Sequence, residues 1–226
     1  MSNLIKNILH KYFLVLILIL TVCVFTVSSQ DVHFTDSKAT STIDINKISQ
    51  FIPAGYSILD TIKGELNGDN IEDLILILKK NGEDTMYNPS PKRPLCILIG
   101  LPDGNYKLAA KNDNVVYKHD EGGMSNDEPY DGTGIENGIF TVNHYGGSGV
   151  NKWDVQTSFK YSPKDSNWYL YKTVNHDVTL NYNNNDTINT NNPEVTVDSE
   201  EDIIKTEKDF GKILFEEYDI YKNDDE

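Results

Sequence analysis

The chain has 226 residues, with 35 acidic against 20 basic side chains and a formal net charge of −15. Such a surface repels phosphates, which excludes nucleic acid and anionic membranes as partners and favours cations. Setting aside the first 29 residues removes Lys6 and Lys11 from the 20 basic residues and no acid, leaving 18 basic against 35 acidic side chains, a charge of −17.

That first stretch, MSNLIKNILHKYFLVLILILTVCVFTVSSQ, places an apolar run from Tyr12 to Val27 between the lysines and the small residues Ser28 and Ser29. The pattern is that of a secretory signal peptide, with cleavage after Ser29 or Gln30. The run falls short of the about 20 residues that span a bilayer comfortably. Segment 1–29 is therefore expected to be a signal helix and the protein to be exported, secreted or periplasmic, with no stable membrane embedding after cleavage. The alternative is a membrane anchor through an uncleaved N-terminal segment. Cys23 sits in LTVC, a weak likeness to a lipoprotein box, since bulky Val22 stands where a small residue belongs. Beyond the signal only Cys96 remains, so no intramolecular disulfide is available, and its place in PLCILIG reads as a buried small hydrophobe.

A polar leader, residues 30–42, precedes a β domain over 43–176, with a short helix expected around INKISQFI. Strand-like runs follow as YSILDTI, DLILILK, RPLCILIG, YKLAAK, NVVYKH, GIFTVNHY, WDVQTSFKYS and NWYLYKTV, separated by stretches rich in Gly, Asn, Asp and Pro. WDVQTSFKY and NWYLYK alternate large rings with polar residues, which predicts one packed and one wet face. DLILIL has no polar alternation, which predicts a central strand covered on both faces. Residues 177–197, including NYNNNDTINTNNPE, read as an Asn-rich loop or linker. In residues 198–226 Ser199 or Thr206 is suited to cap a short helix, and Phe210, Ile213, Leu214, Phe215, Tyr218 and Ile220 supply apolar surface to dock on the sheet ahead of an acidic tail. The expected class is mainly β: an antiparallel twisted sheet or open barrel-like meander with one or two short helices.

The acidic segment KGELNGDNIEDLILIL holds the most specific chemical signal. Counting from Glu65, oxygen-bearing side chains fall at position one (Glu65), three (Asn67), five (Asp69) and nine (Asp73), and the Ile71 carbonyl is available at seven. Alternate positions turn inward when a loop winds around an ion, so this spacing suits a hard cation, calcium, with its six to eight oxygen ligands. Gly68 and Asn70 supply the positive φ that such a path requires. Position twelve, where an EF-hand carries a bidentate glutamate, is Leu76, so the segment is a strand–loop–strand arrangement and not an EF-hand. The competing reading is a hairpin turn on Asn-Gly-Asp with solvated acids around it. Like charges about 5 Å apart in water repel by about 1 kcal/mol, and several such pairs accumulate here, which favours a cation.

The stretch IPAGYSILDTIKGELNGDNIEDLILILK resembles the repeat-like segment of secreted FG-GAP/VCBS-type proteins, in which a strand enters a D-x-N-x-D-x-x-x-D calcium loop and continues as DLVLVLK. The likeness extends through RPLCILIG, GNYKLAAKNDNVV, GGMSNDEPYDG, FTVNHYGGS, FKYSPKDSNWYL and TEKDFGKILFEEYDI, most of residues 50–220. It implies calcium ligands at Asn67, Asp69 and Asp73, which match, while Glu65 replaces the usual aspartate and Asn70 the usual glycine. FG-GAP repeats form blades of a β-propeller, but this chain has no internal repeat and too few residues for a ring of blades.

Other motifs carry less. KHDEGGMSNDEPYDGTG, from Lys118 to Gly134, is a second acidic loop with Asp120, Glu121, Asp127, Glu128 and Asp131 and no metal-ligand spacing. NHYGGSG lacks the final glycine of a nucleophile elbow, because Val150 stands there. His144 and Tyr145 read as a half-buried strand-end pair. The aromatics Trp153, Phe159, Tyr161, Trp168, Tyr169 and Tyr171 offer a sugar-stacking platform or, at period two, a split between core and surface. Asn185-Asp186-Thr187 is a glycosylation sequon in a eukaryotic host. No His-rich zinc set, phosphate-cradling loop or Cys/His pair is present. The expectation is an exported non-enzymatic binding protein with a structural calcium loop and a protein or glycan partner. The alternatives are a carbohydrate-active enzyme using a carboxylate pair in the 120–131 region, or an acidic inhibitor or immunity-type protein that covers a basic partner.

Overall fold

The structure, a computed structural model, describes residues 43–86, 89–124, 128–182 and 195–222. The expected signal segment 1–29, the leader 30–42 and the Asn185 sequon lie outside these residues. Asp44–Glu226 falls into one compact unit. Among the described residues no helix is long and apolar enough to cross a membrane.

The chain is mainly β and antiparallel, with a few short helices. Its meander is divided between two sheets. The first runs β1 (Tyr56–Gly64), β2 (Asp73–Lys80), β3 (Arg93–Gly100) and β4 (Tyr106–Val116) in sequence order. The second runs β5 (Tyr130–Glu136), β6 (Ile139–Ser148), β7 (Asn151–Ser162), β8 (Asn167–Tyr182) and β9 (Val195–Thr206), again in order. Consecutive pairing explains the topology, since strands adjacent in sequence are commonly neighbours in the sheet.

β2 lies between β1 and β3 with Leu74 to Leu78 fully buried, which is why it shows no polar alternation. Its Ile75 and Ile77, with Leu95 and Ile97 of β3, meet Phe140, Val142, Phe159 and Leu170 of the second sheet in one core. The sheets approach closely where Gly64 ends β1: a methyl group there would lie 2.8 Å from Ile135 Cγ2 on β5. Glycine at that point lets β5 close over the root of the acidic loop.

The INKISQFI segment forms α1 (Ile45–Ile48), capped by the Asp44 side chain on Asn46 N, followed by a 3-10 turn over Ser49–Phe51. At the other end Thr206 begins α2 (Glu207–Phe210), with Asp209 accepting from Thr206 N at 2.8 Å. Beyond α2 the chain crosses the opening between the sheets. Leu170 N donates to Ile213 O, Ile220 N donates to Asn114 O, and the buried Asn112 amide donates to the Phe215 and Tyr218 carbonyls. Phe215 meets the stacked pair Phe140–Phe159 edge-on, at ring centroids of 5.9 and 5.2 Å, so this leg is part of the core.

Four boundaries differ from the sequence-based expectation. Residues 177–182 continue β8 and 195–197 open β9, so these parts of the expected 177–197 linker are strand, and residues 183–194 lie outside the described residues. Ser199 pairs with Thr179 within β9, so no helix starts there. YKLAAK and NVVYKH join into the single strand β4, with pairing irregularities against β3 on either side of Asn112. β5, whose YDGTGIE reads as turn composition, is held in the sheet by its register with β6.

Candidate functional site

The acidic loop leaves β1 at Gly64 and re-enters the sheet at Asp73, the first residue of β2. Gly68 and Asn70 both take positive φ, 85° and 64°. Glu65 Oε1 accepts from Asn67 N (2.9 Å) and Gly68 N (2.6 Å), Asn67 Oδ1 accepts from Asp69 N (2.8 Å), and Asp69 Oδ1 accepts from Ile71 N (2.8 Å). Asp73 is fully buried, with Oδ2 accepting from Leu66 N and Oδ1 from Gly100 N, both at 2.9 Å. Burial raises the Asp73 pKa above the ordinary carboxylate range; its two backbone bonds lower it, and the charges of Glu65 and Asp69 raise it again.

Two features bear on a cation. Glu65 Oε2 is buried without a hydrogen-bond partner. The nearby Lys63 bonds instead to Glu72 at 2.9 Å, on the loop's outer side. Against these, the Asn67 amide nitrogen donates to Asp69 Oδ2 at 3.0 Å, and no group of three or more His, Cys, Asp or Glu side chains among the described residues is close enough to share one ion. Side-chain oxygens of Glu65, Asn67, Asp69 and Asp73 thus share one loop with the Ile71 carbonyl and are tied by the loop's own hydrogen bonds.

The remaining motifs meet in a second cluster, which the sequence did not single out because its centre, Arg93, lies at the start of an apolar strand. Arg93 is fully buried. Its Nε donates to Glu83 Oε1 (3.0 Å), Nη1 to Glu128 Oε1 (2.6 Å) and Nη2 to Glu128 Oε2 (2.6 Å), and Nη2 is also ion-paired with Glu83. Glu83 is equally buried, whereas the Glu128 side chain is 46% exposed. Burial pulls the Arg93 pKa down, but the bonds to Glu128 and Glu83 together hold it above its ordinary value. The clasp ties the 3-10 turn Glu83–Thr85 and the 117–129 loop to β3.

His144, on β6, points into the same region and is 1% exposed. Its Nε2 accepts from Tyr117 N at 3.2 Å, and its ring meets Tyr117 edge-on at 4.7 Å. Burial, aided by the Arg93 charge, pushes its pKa down to about 3, so the ring is neutral and sealed from solvent. It acts as a hydrogen-bond acceptor and has no access to serve as a general base. Tyr145 beside it is exposed.

The two glycine-bearing motifs lock together beside this histidine. Gly147 N donates to Gly122 O at 2.8 Å, and a methyl on Gly123 (φ +80°) would sit 2.6 Å from Gly147 O. A methyl on Gly146 would collide with the Trp153 ring and the Gly122 carbonyl. GGM and YGGS are therefore glycine-rich for close backbone approach. Three acids of the second loop are likewise engaged, Asp120 with Ser90, Glu121 with Lys118 and the Tyr221 hydroxyl, and Glu128 with Arg93, whereas Asp131 is exposed. Asp127 lies outside the described residues.

The candidate stacking platform divides. Phe159 and Trp168 are buried, with Tyr161 on Trp168 at 4.9 Å, while Tyr171 lies under Lys160 and Tyr169 under Lys212 on the exposed side. No protein-family model matches the chain, and no curated protein or solved structure matches it.

Proposed function

We propose that this chain is an exported, non-enzymatic binding protein whose Glu65–Asp73 loop holds one structural calcium ion and whose partner is a protein or glycan. The reading is carried by one observation: Glu65 Oε2 is buried and unpartnered with Lys63 turned to Glu72, while the charges of Glu65 and Asp69 act on the buried Asp73 carboxylate. A divalent ion offsets that crowding more completely than the loop's backbone N–H groups do. Glu65, Asn67, Asp69 and Asp73 would supply side-chain oxygens and Ile71 its carbonyl once the side chains draw together from their present spacing. The likeness of the loop to FG-GAP/VCBS calcium loops supports the same assignment.

Bound calcium supplies positive charge and cross-links the end of β1 to the start of β2. It takes no part in a reaction on this reading. Three acids of the 120–131 region, Asp120, Glu121 and Glu128, are spent on structural partners, which favours binding over hydrolysis. Melting the protein in chelator and in excess calcium tests the proposal. At calcium about one hundred times Kd, native-state binding adds about 2.7 kcal/mol, or roughly 5–10 °C in Tm for a chain of this size. The Asp69→Asn variant is expected to lose most of that shift. Identical melting with and without calcium overturns the assignment.

A further inference from the structure

The inner face of the second sheet is not filled along its whole length. Between β7–β9 and the C-terminal leg lies a cavity of about 390 Å³, within the size range of small-molecule sites. Its walls are apolar or aromatic: Tyr117, Leu170, Phe210, Ile213, Tyr218 and Ile220. Three of these, Leu170, Tyr218 and Ile220, belong to the core, so the cavity opens directly off packed structure.

The floor is polar. Thr173 and Lys205 are direct cross-strand partners on β8 and β9, and Asn175 lies two residues further along β8, opposite Val155 of β7. Alternate residues of a strand share a face, so these side chains converge from rigid backbone. Further along the same face the sheet places Phe159 and Leu170, which the core covers. Thr173, Asn175 and Lys205 are each half-buried, so their polar groups line the cavity within reach of an occupant.

Charge narrows the choice of occupant. Lys205 is half-buried in a chain of net charge −15, and its charge acts on Asp209 of the same cavity. Asp209 also lines the cavity, but its Oδ2 is committed to Thr206 N and Oγ1. Lys222, at the rim, is paired with Asp219 at 3.5 Å. One cation, partly answered by Asp209, beside two neutral hydrogen-bonding groups suits a head of no more than one negative charge with two acceptor oxygens. A doubly charged phosphate would face the acidic surroundings with too little compensation.

We propose that this cavity binds a small amphipathic carboxylate, with its head on Lys205, Thr173 and Asn175 and its apolar body against Tyr117, Phe210 and Tyr218. The assignment goes beyond the calcium reading and does not depend on it, since no residue of the 65–73 loop lines the cavity. Calorimetric titration of the full protein with octanoate tests it, with octanol and octylamine as neutral and cationic controls. Saturable one-to-one octanoate binding is expected in the millimolar range or tighter. Octanol, octylamine and the Lys205→Met variant are each expected to bind at least about tenfold more weakly, from loss of the charged hydrogen bond. The Asn175→Leu variant gives a second, charge-neutral perturbation with the same direction, and Lys107→Met, remote on β4, is expected to bind as the parent does. Absence of saturable octanoate binding, equal binding of octylamine, or unchanged affinity in both Lys205→Met and Asn175→Leu overturns the proposal.

Discussion

Replacing Arg93 by methionine removes the positive charge that is paired with Glu83. The guanidinium is fully buried and donates to Glu83 through Nε, at 3.0 Å, and through Nη2. Glu83 is 1% exposed, and its Oε2 already lacks a partner. Without Arg93 it must stay ionised in a dry site or take up a proton. Breaking a buried pair in this way costs about 3–5 kcal/mol. The Glu128 contact adds little to that figure, because its side chain is 46% exposed and solvent screens it. Against a total stability of about 5–15 kcal/mol the loss is large. Urea unfolding followed by circular dichroism reads it as a fall in midpoint of roughly 1.5–2.5 M, taking m as about 2 kcal/mol/M. The double variant Arg93→Met, Glu83→Met leaves no orphaned charge and is expected to recover most of the loss, and a double-mutant cycle measures the coupling. An Arg93→Met protein within about 1 kcal/mol of the parent refutes the reasoning, since desolvation of Glu83 would then cost far less than the geometry implies.

Three further outcomes follow from the same structure. Gly146→Ala drives a methyl into the Trp153 ring and the Gly122 carbonyl, and overpacking against backbone is expected to cost about 1–3 kcal/mol or more, seen as a lower Tm. Phe215→Ala empties the aromatic cluster with Phe140 and Phe159 and is expected to cost about 3–5 kcal/mol in chemical unfolding, whereas a C-terminal leg that merely lay on the surface would show under 1 kcal/mol. His144 has a folded pKa of about 3 against an ordinary value of 6.5, so the unfolded chain takes up its proton first as the pH falls. Its neutral burial is therefore without penalty above pH 6.5 and costs about 1.4 kcal/mol per unit below it, until the folded state also protonates near 3. A stability profile in which His144→Gln shows the same acid limb as the parent contradicts this.

The strands that could be read from the sequence are those whose side chains are decided by packing. RPLCILIG and DLILILK are continuous apolar runs and become β3 and β2, and the alternating rings of WDVQTSFKYS become β7. β5 and β9 are different in kind. YDGTGIE and VTVDSEEDIIKT have little apolar surface of their own and are strands because β6 and β8 offer them a ladder of hydrogen bonds, a tertiary cause that local composition does not carry. The acidic loop was legible as a unit of alternate oxygens, and its positive φ at Gly68 and Asn70 follows from residue type. What spacing does not reveal is that both Asp73 oxygens take backbone N–H groups, one from Gly100 on a neighbouring strand. The Arg93 clasp was hidden for a related reason: Glu83, Arg93 and Glu128 are far apart in sequence, and nothing in their local patterns marks them as partners. The glycines of GGM and YGGS carried a readable signal, close backbone approach, but only the fold shows that each is the other's neighbour.

The claim on which the functional reading depends is that the oxygens of one loop hold a divalent ion. Calcium titrated calorimetrically into chelator-stripped protein measures it most directly. The reading predicts saturable binding of one ion per chain, strongly weakened in Glu65→Gln and in Asp69→Asn. An absence of saturable heat, or binding that both substitutions leave unchanged, contradicts it and leaves the Glu65–Asp73 segment as a turn held by its own hydrogen bonds.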